Sequence, residues 1–225
     1  IMAETNRIMD GFLDQSHMET VLSHPVFRLG FSAVRCKGAL ASKLRPFQAL
    51  GMASAFELNL LNRRLQKFCY ERVLFHDDRY DTGLFDLSDF MTHSVPLAPD
   101  NLKPALQASA SIPLIMDGVT HIQGAPKGMY RDGGLLDYHP VFKLADSNGS
   151  ADSGGLALYP HFYPDVTPGW FDKKIPRRRA GGGVMDRVVL LAPSRHLVEQ
   201  LPYHRIPDRK DFVRFKADDQ KRVQA

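Results

Sequence analysis

Apolar residues occupy positions 27, 29, 31 and 33 and then 34 and 36, a period of two that predicts a strand over residues 27–36 with a slip near Ala33. Gly38 ends it. The spacing then lengthens. Leu50, Ala53, Leu58, Leu61, Leu65 and Phe68 recur mostly every three or four residues, which predicts one amphipathic helix over 46–69. Pro46 suits its first turn, and Arg63, Arg64 and Lys67 complement the dipole at its C-terminal end. A short strand over 72–76 follows, closed by the acidic turn Asp77-Asp78. The next helix runs from Pro99 or Asp100 to Ala110, with Asp100 and Asn101 available as caps and Pro113 forbidding continuation. A strand is expected over 119–122, and another leads into Asp132.

Residues 155–159 and 187–191 are short, continuous apolar runs, the pattern of strands covered on both faces. Together with the strands at 27–36 and 73–76 they are expected to form one sheet with helices on both sides. The first twenty residues have no clean period, and 9–12 reads as a turn or a short connecting helix. Polar residues 146–155 and basic, glycine-rich residues 177–183 read as loops, and the charged stretch 208–225 as a surface helix. There is no internal repeat.

Composition narrows this picture. With 225 residues, 44% hydrophobic and 24% charged, the chain can bury one sizeable core, so a single domain is expected. The net charge of +4 is local: Lys173, Lys174 and Arg177 to Arg179 carry much of it, and a solvated loop accounts for them more simply than an anionic partner. No nucleic-acid-binding motif is present, and no nucleic-acid partner is expected. Cys36 and Cys69 lack metal spacing and read as reduced, buried thiols. The nine histidines do not cluster at ligand spacing, so no metal is expected. No apolar run approaches the roughly 20 residues that span a bilayer.

The candidate chemistry lies between residues 108 and 140. Ala108-Ser109-Ala110-Ser111-Ile112-Pro113 ends a helix, and Tyr130-Arg131-Asp132-Gly133-Gly134 delivers a carboxylate into a paired-glycine turn that closes with Asp137-Tyr138-His139-Pro140. Without a Cβ, glycine lets another backbone or a nucleophile's side chain approach such a carboxylate. Taken alone, Asp-Gly-Gly is also an ordinary turn sequence. His139, before a proline, reads as a surface residue or a neighbour of an active site. The aromatics at 161–163 and 169–171 read either as the burial of a long loop or as a lid or membrane-facing patch.

In order and spacing these motifs resemble the patatin-like phospholipase family, with the matches concentrated between residues 92 and 140. The resemblance implies a three-layer α/β/α sandwich with a mainly parallel sheet, of which residues 1–225 form the domain without its N-terminal part. It also implies a lipid acyl hydrolase using a Ser–Asp dyad, with Asp132 as base, Gly133 and Gly134 as the supporting turn, and no cofactor. The substrate would be a lipid or other acyl ester met at a membrane surface, and the localisation cytoplasmic or peripheral to a membrane. The family's G-x-S-x-G elbow and glycine-rich oxyanion loop are missing from the expected places. The nearest approximations are Gly30-Phe31-Ser32-Ala33-Val34, which lacks the second glycine, and Gly51-Met52-Ala53-Ser54-Ala55, inside a predicted helix. Where relatives carry asparagine in the later turn, this chain has Tyr138. Two rivals remain open: a non-catalytic lipid-binding or scaffold domain of the same fold, and an unrelated α/β protein whose Asp132 points into solvent.

Overall fold

The computed structural model describes residues 2–79, 85–140, 143–144, 155–208 and 210–215. The elements in chain order are α1 (Met2–Phe12), α2 (Gln15–Ser23), β1 (Gly30–Cys36), α3 (Arg45–Leu61), β2 (Tyr70–His76), β3 (Phe85–Asp86) and β4 (Thr92–Pro96). They continue with α4 (Pro99–Ser109), β5 (Met129–Asp132), β6 (Lys143–Leu144), β7 (Ala157–Pro160), β8 (Val188–Leu191), α5 (Arg195–Gln200) and α6 (Asp211–Arg214).

The protein is a mixed α/β structure whose main sheet has the order β4-β2-β1-β5. β1 runs antiparallel to both β2 and β5, while β2 and β4 are parallel. This sheet is therefore mixed, where a mainly parallel one was expected. β7 and β8 form a separate two-stranded parallel sheet, so the four strands expected in one sheet are divided between two. Their continuous apolar runs misled for a visible reason. Leu158, Val189 and Leu191 are exposed, so these strands are not covered on both faces. β3 and β6 pair antiparallel in a third small sheet.

Burial explains the apparent slip in β1. Its register against β2 runs unbroken from Gly30 opposite His76 to Cys36 opposite Tyr70. Ala33 and Val34 are adjacent, so they face opposite sides, and both are fully buried. The strand has apolar neighbours on both faces rather than a bulge. On one side Ala33, Val73 and Phe75 pack with Met18 of α2 and Leu102, Ala105 and Ala108 of α4. On the other, Val34, Cys36, Tyr70 and Met129 pack with Leu40, with Ala55 of α3 and with Leu135 and Leu136. Each fully buried side chain of the size of Val73 or Phe75 contributes roughly 1.5–3 kcal/mol.

Several local expectations change. The helix expected over 46–69 stops at Leu61; Asn62 turns extended, its side chain accepts from the Arg64 N–H at 2.9 Å, and a 3₁₀ segment covers Arg63–Phe68. Residues 2–12 and 15–20, expected without a clean period, are helical, as α1 and most of α2. Val119–Ile122 is no strand; only Val119 bridges to Tyr130. α4 is capped by Asn101 reaching back from its third position, where its Oδ1 accepts from the Ala98 N–H at 2.9 Å. The loop expected over 146–155 lies outside the described residues except for Gly155, and of the helix expected over 208–225 only the α6 turn and its neighbours are described. Both cysteines are buried and unbonded to each other. Among the described residues, no helix is long and apolar enough to cross a membrane.

Candidate functional site

Asp132 is the last residue of β5, on the edge of the main sheet, opposite Ala33 of β1. The serine-rich end of α4 holds it there. Ser109 donates its hydroxyl to the Ser32 carbonyl at 2.8 Å, and the Ser111 carbonyl accepts the Asp132 N–H at 3.0 Å. The Ala-Ser-Ala-Ser segment thus ties the helix to both strands that meet at the carboxylate.

The two glycines have different reasons to be glycine. A Cβ at Gly133 would lie 2.2 Å from the Ser32 carbonyl oxygen and 2.7 Å from its Oγ, an overlap with rigid backbone. A Cβ at Gly134 would lie 3.0 Å from Asp132 Oδ1 and 3.4 Å from the Tyr138 ring, so its absence keeps the space beside the carboxylate open. The Gly134 N–H donates to Asp132 Oδ1 at 2.7 Å. Among the described residues no donor meets Oδ2.

Electrostatics at Asp132 are mixed. Burial raises its pKa and outweighs the Gly134 N–H and the Lys173 ammonium, which both favour the charged form. A partly buried carboxylate with raised basicity and one oxygen unengaged is equipped to take a proton from a hydroxyl placed against it.

Behind this turn lies a network that the sequence reading passed over. Arg72, buried at the start of β2, grips Asp137 in bidentate fashion, with Nε to Oδ2 at 2.8 Å and Nη2 to Oδ1 at 2.9 Å. Its Nη1 donates to Asp89 at 2.8 Å and to the Thr92 hydroxyl at 3.2 Å. Arg63 joins Asp89 at 3.2 Å and donates to the Leu136 carbonyl at 2.8 Å, and Asp172 receives Asn59 at 2.8 Å and Arg178 at 2.9 Å. Desolvated charges persist when each is hydrogen-bonded to an opposite charge. One signal for it was in the sequence: Glu71 and Arg72 directly precede the apolar run Val73-Leu74-Phe75, and charges in a strand, here buried along its whole length, require partners.

The basic run is only partly solvated. Arg178 is half-buried on Asp172, Arg179 pairs with Asp165, and Lys173 places its ammonium 3.8 Å from the centroid of the Tyr138 ring and 5.5 Å from that of Trp170. The aromatics divide as well. Trp170 and Phe171 pack on the core, whereas Phe162 and Tyr163 are 49% and 42% exposed. His139 is buried, not a surface residue. Its Nδ1 accepts from the Thr167 N–H at 2.9 Å, its ring lies 4.2 Å from that of His161, and burial, then His161 and Lys173, hold its pKa down at about 4.

Among the described residues neither serine of the approximate elbows is hydrogen-bonded to Asp132. Ser32 lies within β1, adjacent to Ala33 and so on the opposite face from the residue that Asp132 pairs. Ser54 is exposed on α3. Among the described residues no group of three or more His, Cys, Asp or Glu side chains is arranged to hold a metal ion. In comparisons with known proteins, no family model, no curated protein and no solved structure matches this chain.

Proposed function

We propose that Asp132 is the general base of a serine acyl hydrolase acting on lipid esters such as phospholipids or lysophospholipids, with the serine supplied from outside these 225 residues. The observation that carries this reading is the state of the carboxylate: at a strand end, partly buried, raised in pKa, with Oδ1 oriented by the Gly134 N–H and, among the described residues, Oδ2 left without a donor. A nucleophile's hydroxyl hydrogen-bonded to Oδ2 would lose its proton directly to the carboxylate, and raised basicity improves that match. The tetrahedral intermediate needs donors for its oxyanion, and the proposal assigns these to the same segment as the serine.

The finer architecture belongs to the same proposal. The helices on the two faces of the main sheet are read as the outer layers of a three-layer α/β/α sandwich, supported by separate cores built with α2 and α4 on one side and α3 on the other. A soluble short-chain nitrophenyl ester tests the chemistry. The protein expressed from its complete gene should hydrolyse it, and Asp132→Asn should cost on the order of 10²–10⁴-fold in kcat. A protein that binds lipid but hydrolyses no ester would instead support the scaffold reading.

A further inference from the structure

α3 faces the wrong way for a helix on a core. Its inward stripe is Gln48, Gly51, Ala55 and Asn59, all buried and all small or polar. Three of them are fixed there by their contacts. Gln48 Oε1 accepts from the Leu114 N–H at 3.0 Å, Asn59 Nδ2 donates to Asp172 at 2.8 Å, and a Cβ at Gly51 would lie 2.6 Å from the Leu40 nitrogen. The leucines whose spacing predicts the helix point the other way. Leu50 and Leu61 are more than half exposed, as are Leu44 and Phe47 at the N-terminal end. A helix on a protein surface ordinarily turns its apolar stripe to the core and its polar face to water. The reversal marks a contact surface.

The charges around this face say what covers it. Lys43 and Arg45 stand at one end of α3, and Arg64 and Lys67 lie just beyond the other, all exposed. Among the described residues none of these four side chains pairs with a carboxylate. Glu57 is the one carboxylate on α3, so four unpaired cations stand against one anion. Apolar side chains between unpaired cations fit an anionic lipid bilayer. The former enter the acyl boundary while Lys and Arg reach up to the headgroup phosphates. Protein interfaces, by contrast, are depleted in lysine.

A second segment joins the face. The Gln48 bond holds the loop of Leu114 and Ile115, both exposed, beside the first turn of α3. Leu114 has a φ of 68°, a left-handed backbone that costs a leucine energy and that the surroundings must impose. Arg131 fastens both pieces to β5, donating to the Ser42 carbonyl at 3.1 Å and to the Met116 carbonyl at 3.2 Å. We infer that the outward face of α3, with Leu114 and Ile115, docks on an anionic lipid surface. As the route by which lipid reaches Asp132, the next residue of β5, it rests on the acyl-hydrolase reading. As a docking face it stands on exposure and charge.

The test is co-sedimentation of the protein from its complete gene with vesicles of phosphatidylcholine, alone or with phosphatidylserine added. Binding should favour the anionic vesicles and weaken as salt is raised. Leu50→Gln with Leu61→Gln should abolish it, while turnover of a soluble nitrophenyl ester stays unchanged. Arg45→Gln and Arg64→Gln should each weaken it roughly 5-fold, and Glu57→Gln should strengthen it by a similar factor. Damage to the fold would not tighten binding, so Glu57→Gln still decides if the leucine variant fails to fold. No binding to anionic vesicles, or equal binding to both kinds, would overturn the proposal. So would a protein that is dimeric without vesicles and monomeric in the leucine variant, since the face would then join two copies. Docking without ester hydrolysis would uphold the face and reject the hydrolase; hydrolysis without docking would do the reverse.

Discussion

Gly133 and Gly134 stand next to each other and do different work. At Gly133 any side chain meets the Ser32 carbonyl, so Gly133→Ala must push β1 and the turn apart. It should cost roughly 1–3 kcal/mol, the range for overpacking, read as a lower urea midpoint. Gly134→Ala meets only the end of the Asp132 side chain at 3.0 Å and an aromatic edge. It should unfold at nearly the wild-type midpoint while crowding the carboxylate. Equal midpoints for the two variants would contradict this division. His139 gives a pH prediction of definite sign. Its pKa is about 4 when folded, against 6.5 for the free side chain, so the unfolded chain takes up the proton first. Its contribution to stability is complete above pH 6.5 and disappears as the pH falls through 4. In His139→Asn, melting temperature should depend less on pH between 7 and 4.5 than in the wild type; parallel curves would refute the assignment.

The elements meet at the Arg72–Asp137 pair, which fastens the turn after Asp132 to β2. Removing one partner of a buried pair strands the other charge, so Arg72→Met should cost about 3–5 kcal/mol, and Arg72→Met with Asp137→Leu distinctly less. Urea melts of the two proteins check this; a double variant as unstable as the single one would show that the ion pair is not the source. Legibility at this scale followed the kind of signal. The 2-residue period located β1 and the 3.6-residue period α3, while capping residues and Pro113 located α4. The apolar-run rule failed at β7 and β8, where apolar residues are exposed and a continuous run did not mean two covered faces. The end of α3 escaped because leucine spacing persists through the 3₁₀ segment after Asn62. Strand parallelism has no local signature, so the mixed sheet was illegible.

For the whole molecule, the motif order between Ser109 and Pro140 led to Asp132 because turn chemistry is local. The groups around its turn, Lys173 and the Arg72 network, come from distant segments. No period or spacing links them to it; only the folded chain does. The same view predicts that these 225 residues alone will not hydrolyse esters, since among the described residues neither Ser32 nor Ser54 is hydrogen-bonded to the base. Serine-dependent turnover by the purified 225-residue chain, abolished by Ser32→Ala or Ser54→Ala, would contradict that. The central claim, that the Asp132 carboxylate is a proton acceptor in acyl transfer, is tested most directly by kcat for nitrophenyl butyrate in the complete protein and its Asp132→Asn variant. Asparagine keeps the shape and the acceptor for the Gly134 N–H but takes no proton. The account predicts a fall on the order of 10²–10⁴-fold with an unchanged thermal melt. Undiminished turnover in the folded variant would contradict it.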